Sequence, residues 1–135
     1  AQMEAGQLAP AARSVERALL LNPRDANAAH HRAHLYYETG ETDAGYAFLK
    51  DWLKDYDRDG SMHCHNSWHV ALGALARGDV DEMWRIADED IAPDATSGPA
   101  LNVMTDMASL LYRAELAGVE VSPARWARIS AYATA

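Results

Sequence analysis

The chain has 135 residues and a net charge of −8, enough length for one core that buries about two-thirds of the unfolded chain's surface. The excess of acid over base argues against a nucleic-acid or anionic-membrane surface, which needs the opposite sign. No apolar run approaches the ~20 residues of a membrane span, and the one cysteine, Cys64, has no intramolecular disulfide partner, which points to a reducing, cytoplasmic setting.

Alanine is abundant, while Val and Ile are scarce. That balance favours helix throughout and gives no strand-forming segment. The first five residues, Ala1 to Ala5, read as the end of a helix, so the expected array is incomplete at its N-terminal side. Gly6 closes that helix, and the next runs from Pro10 to Leu21, ended by Asn22-Pro23 because proline cannot continue a helix. Asp25 is placed to cap the helix that follows, and Gly40 is its turn. Glu4-Ala5-Gly6-Gln7, Ala11, Val15, Ala18 and Leu19 recur as Glu38-Thr39-Gly40-Glu41, Gly45, Leu49, Trp52 and Leu53, each pair 34 residues apart. This is the tetratricopeptide period.

A third unit follows after about four extra residues near Asp55–Ser61, with a helix over 62–76, a turn at Gly78 and a helix over 80–91. Residues 92–100 have the composition of a loop. An apolar stripe of Val103, Met104, Met107, Leu110, Leu111 and Ala114 predicts a helix over 101–117, ended by Gly118. Ser122-Pro123 then opens the last helix. The expected fold is all-α, a single domain over 1–135 built of tetratricopeptide-type helical hairpins. Its parts are a half repeat over 1–23, a repeat over 24–56, a divergent repeat over 61–92 and a closing hairpin over 100–133.

Four of the six histidines form two pairs spaced four residues apart, His30/His34 and His65/His69. Residues at this spacing share a helix face, and both pairs fall on the first helices of successive repeats, which line the concave surface of such an array. Glu38 continues the His30/His34 stripe. Besides a purely structural role as hydrogen-bonding core residues, two functional readings stay open. In one, His30, His34, Glu38, His65, Trp68, His69 and Asp106 line a groove that contacts a ligand. In the other, His30, His34, His65 and His69 hold a divalent transition metal such as zinc or iron, which accepts imidazole nitrogens. His65 projects onto the groove but His69 falls toward the helix flank, so four converging ligands are not required by the pattern. His63 and Cys64 point elsewhere, and no Cys-x-x-Cys pattern is present.

Asp106 interrupts an apolar stripe. Either it orients an imidazole from behind, or it is a solvent-facing carboxylate near a helix N-terminus. Trp52, Trp68, Trp84 and Trp126 are expected as packing anchors. No nucleophile elbow, phosphate-cradling glycine loop or kinase motif occurs, and the residues leave open whether any reaction is catalysed.

Several stretches together resemble the tetratricopeptide repeat protein 38 family: Glu4-Ala5-Gly6, Arg17 to Asp25, Ala29-His30 with Ala33-His34, His65-Asn66 with Trp68 to Leu72, Asp106 to Arg113, Ala117-Gly118-Val119 and Arg125-Trp126. The resemblance covers nearly the whole chain, and its histidine and Asp106 motifs are more specific than a generic repeat match. It implies a helical-repeat fold with a histidine-bearing groove, and family members carry further helices before the point where this chain starts.

The expected function is a scaffold whose histidine-lined groove binds a partner peptide or small ligand, with a metal-dependent site or enzyme as the alternative. The helix over 10–21 has no first-helix partner in this reading. A lone repeat cannot bury its apolar side, so self-association or cover from a missing N-terminal part is expected. Sedimentation at micromolar concentration tests this, with a species larger than the monomer expected and a pure monomer counting against self-association.

Overall fold

The computed structural model describes residues 6–135, so the expected helix end at residues 1–5 lies outside the described residues. Among the described residues there are seven α-helices and no strand. Among the described residues, no helix is long and apolar enough to cross a membrane. The chain divides into two compact units, Ala1–Tyr56 and Asp57–Ala135, with the division in the connection where the extra residues were expected.

In the first unit, α1 spans Leu8–Leu21, α2 Ala26–Glu38 and α3 Thr42–Trp52, followed by a 3-10 turn over Leu53–Asp55. Pro10 is tolerated in α1 because the first-turn N–H groups have no intrahelical acceptor. Asp25 caps α2 by accepting a hydrogen bond from the Ala28 amide at 3.0 Å. The chain reverses at Gly40, whose φ of +76° only glycine adopts cheaply. There the Glu41 amide reaches back to the Tyr36 carbonyl at 2.8 Å, a Schellman closure. Gly78 and Gly118 in the second unit close their helices through the same six-residue bond, from Asp79 to Ala74 and from Val119 to Ala114.

Helix α2 packs against both α1 and α3, burying Ala28, Ala29 and Leu35. Arg32 lies on the side of α2 that faces α3, its guanidinium 4.7 Å from the centre of the Phe48 ring. A cavity of about 390 Å³ opens between α1 and α2, lined by Leu8, Ala12 and Val15 from α1 and by Arg32, Leu35 and Tyr36 from α2. At the far end of α1, Leu20 and Leu21 are exposed.

In the second unit, α4 (His63–Ala76), α5 (Val80–Ile86), α6 (Ala100–Leu116) and α7 (Pro123–Thr134) are joined by a π-helical turn over Ala87–Ile91 that continues α5. The expected helix over 80–91 is thus two segments. The widened turn is closed by the Ala92 amide on the Ala87 carbonyl at 2.8 Å, and both Ile91 and Ala92 enter the core. Helix α4 is the centre of this unit, contacting α5, the π-turn and α6. The acidic residues of the π-turn face outward onto arginines. Arg58 meets Asp90 at 2.7 Å and the Glu89 carbonyl at 2.6 Å, and Arg125 of α7 forks onto Asp88 at 2.7 and 3.0 Å while lying 3.9 Å over the Trp84 ring. Ser122 stands at the cap position of α7, but its hydroxyl makes no capping bond.

Helices α2 and α3 approach closely at Gly45, where an added Cβ would lie 2.8 Å from the Tyr36 Cβ. Alanine there gains about 1 kcal/mol of helix propensity, against an overpacking cost of about 1–3 kcal/mol. The clash wins because the obstacle is the stiff base of a side chain. Gly45→Ala is expected to lower the thermal midpoint by a few degrees, and an equal or higher midpoint would contradict this contact.

Candidate histidine sites

Helix α2 carries His30, His31, His34 and, as its last residue, the exposed Glu38. The Nε2 atoms of His30 and His34 lie 3.1 Å apart, and the two rings meet edge to face at 76° with centroids 4.5 Å apart. One helical turn brings the rings to the same side, and both residues are half-buried. His31 turns away, and its Nδ1–H donates to the Asn27 carbonyl at 2.7 Å. The cavity of the first unit is lined by residues from the other side of α2, so it is not lined by this histidine pair. Arg32, which separates the two histidines in sequence, belongs to that cavity.

On α4, residues His63, Cys64, Asn66 and Ser67 turn into the core, while His65, Trp68 and His69 are half-buried. The Trp68 indole stacks on His65 with centroids 5.2 Å apart and planes within 19°, and His69 stands edge-on to both rings at 5.0 and 4.8 Å. Behind His65 lies Asp106 of α6, only 6% exposed. Its two carboxylate oxygens sit 3.1 and 3.0 Å from His65 Nδ1. A carboxylate has only acceptors, so Nδ1 carries a proton, and in the neutral ring Nε2 holds the lone pair. Asp106 is therefore a buried orienting group and does not face solvent.

The buried neighbours of His65 are chemically quiet. Burial pushes the Cys64 thiol up to about 12, helped by the charges of Asp106 and Asp90, so it is neither a nucleophile nor a ready metal ligand near neutral pH. Burial lowers the pKa of His63 from its ordinary 6.5, with Arg58 acting in the same sense and Asp90 and Asp57 opposing.

The other tryptophans serve packing. Trp52 donates to the Pro23 carbonyl at 2.8 Å and stacks on Tyr56, Trp84 lies beneath Arg125, and Trp126 donates to Glu115 at 2.7 Å. Of the seven groove residues expected from sequence, His65, Trp68, His69 and Asp106 are gathered in the second unit. His30 and His34 are gathered on α2, and Glu38 makes no contact with them that defines a site. The stacking of Trp68 on His65 follows from a three-residue spacing on one helix, a signal present in the sequence.

Compared with protein-family models and with solved structures, the chain matches none.

His63 supplies a pH test. In the unfolded chain it takes up a proton near 6.5, whereas in the folded protein uptake requires a lower pH. Folding stability is therefore full above the unfolded value and falls as pH drops through it toward the folded value. Thermal midpoints measured between about pH 7 and pH 5 are expected to decline less steeply in His63→Gln than in the parent chain. Parallel curves would show that His63 does not carry this dependence.

Proposed function

We propose that the chain is a binding scaffold of tetratricopeptide-type helical hairpins that recognises a partner peptide or small ligand through histidine side chains. The observation that carries this reading is the Asp106–His65 pair. Placing a carboxylate in the core costs several kcal/mol of desolvation before any contact repays it. Here the repayment goes to one half-buried imidazole, held in a single tautomer and ring orientation. A packing role needs no such control, because an apolar side chain at position 106 would continue the stripe of Val103, Met107 and Leu110. Fixing the ring in advance lowers the entropy cost of binding. Trp68 adds an apolar wall beside the imidazole, a combination suited to a ligand with one hydrogen-bonding group and an adjacent flat or apolar part.

The 34-residue recurrence and the repeated glycine closures support the helical-hairpin scaffold. The resemblance to the tetratricopeptide repeat protein 38 family points the same way.

Affinity capture with the parent chain, His65→Ala and Asp106→Asn tests this reading, with helicity checked by circular dichroism. A partner held by the parent chain is expected to be lost in His65→Ala and weakened in Asp106→Asn, which removes the charge that orients the ring. Undiminished capture by a folded His65→Ala would overturn the proposal.

A further inference from the structure

We infer that His30 and His34 of α2 form a chelating pair for a divalent first-row transition ion. The two Nε2 atoms are 3.1 Å apart. Imidazole nitrogen binds zinc at about 2.0–2.1 Å. Two such nitrogens on one ion are about 2.9 Å apart at a right angle and about 3.3 Å apart at the tetrahedral angle. The observed spacing falls between these limits, corresponding to an angle at the ion of about 100°. The two rings thus stand at chelation distance before any ion arrives.

The two rings meet edge to face at 76°. Without an ion, the short nitrogen-to-nitrogen contact is a hydrogen bond in which one neutral imidazole donates from Nε2. Ion binding requires both lone pairs at Nε2, so the donor ring moves its proton to Nδ1. The helix holds the two Cβ atoms one turn apart, and Asp25 anchors the start of that helix. The backbone therefore contributes to preorganisation as well.

His31 is the internal comparison. It is a neighbour in sequence, but its Nδ1–H is committed to the Asn27 carbonyl and its ring centroid is 5.5 Å from that of His30. A site made of surface histidines in general would use His31 as readily as the others. The soft Cys64 thiol is buried in the other unit and does not compete. Among first-row ions, imidazole pairs favour nickel and copper over cobalt, iron and manganese, so the order of affinity is a further signature.

This inference is independent of partner capture: it is read at His30 and His34, and the scaffold reading is read at His65 and Asp106. The experiment uses the full chain without a histidine tag. Zinc and nickel binding are measured by titration calorimetry, and the ion-dependent rise in thermal midpoint is followed in parallel. The variants are His30→Gln, His34→Gln and His31→Gln, since glutamine keeps the side-chain bulk and circular dichroism confirms the helix. His30→Gln and His34→Gln are each expected to weaken binding at least about tenfold, on the scale of changes at metal sites. The midpoint rise should disappear with them, and His31→Gln should leave both within about twofold of the parent chain. Absence of zinc and nickel binding by the parent chain at micromolar concentrations would overturn the inference. Unchanged binding in folded His30→Gln or His34→Gln would overturn it equally.

Discussion

Helices of 7 to 17 residues draw most of their stability from tertiary packing, and the fold depends on their close approach through small residues. Ala29, Ala71, Ala74, Ala87 and Ala114 are completely buried. With Gly45 they let neighbouring backbones come near enough for larger side chains to interlock around them. Leu49, Met83, Leu110 and Leu111 fill the remaining space. The site residues inherit their positions from this packing. α4 is held on several sides at once by α5, the π-turn and α6, so His65 meets Asp106 across two helices that cannot slide without opening the core.

The outward surface of the second unit follows a different rule. Asp88 and Asp90 of the π-turn are paired by arginines that come from distant parts of the chain. Each pair has one partner partly withdrawn from solvent and contributes modestly. Their arrangement nevertheless fixes the direction of α7, because Arg125 both forks onto Asp88 and covers Trp84.

Much of this architecture is legible in the residues themselves. The glycines that reverse the chain, the cap at Asp25, the proline at the start of α7 and the limits of α4 and α6 all follow from local chemistry. The π-turn does not, because the acidic run Asp88-Glu89-Asp90 is compatible with an ordinary solvated helix face, and only the burial of both Ile91 and Ala92 requires the extra width. The partnership of His65 with Asp106 spans 41 residues, beyond the reach of any periodicity argument. A polar residue in an apolar stripe signals that a partner exists without naming it. The missing cap bond at Ser122 is similar: residue type marks the position, while the hydroxyl's direction depends on its surroundings. The pairing of histidines four apart is readable from spacing, but the 3.1 Å between their nitrogens depends on rotamers.

The nearly parallel stack of Trp68 on His65 has an optical consequence. An indole in van der Waals contact with an imidazole emits strongly when the ring is neutral and is quenched when the ring gains charge, because the imidazolium accepts an electron from the excited indole. One of the protein's four tryptophans thus stands beside the imidazole that the proposed binding role invokes. With Trp52, Trp84 and Trp126 replaced, the emission of Trp68 alone would report the charge of its neighbour without an attached label.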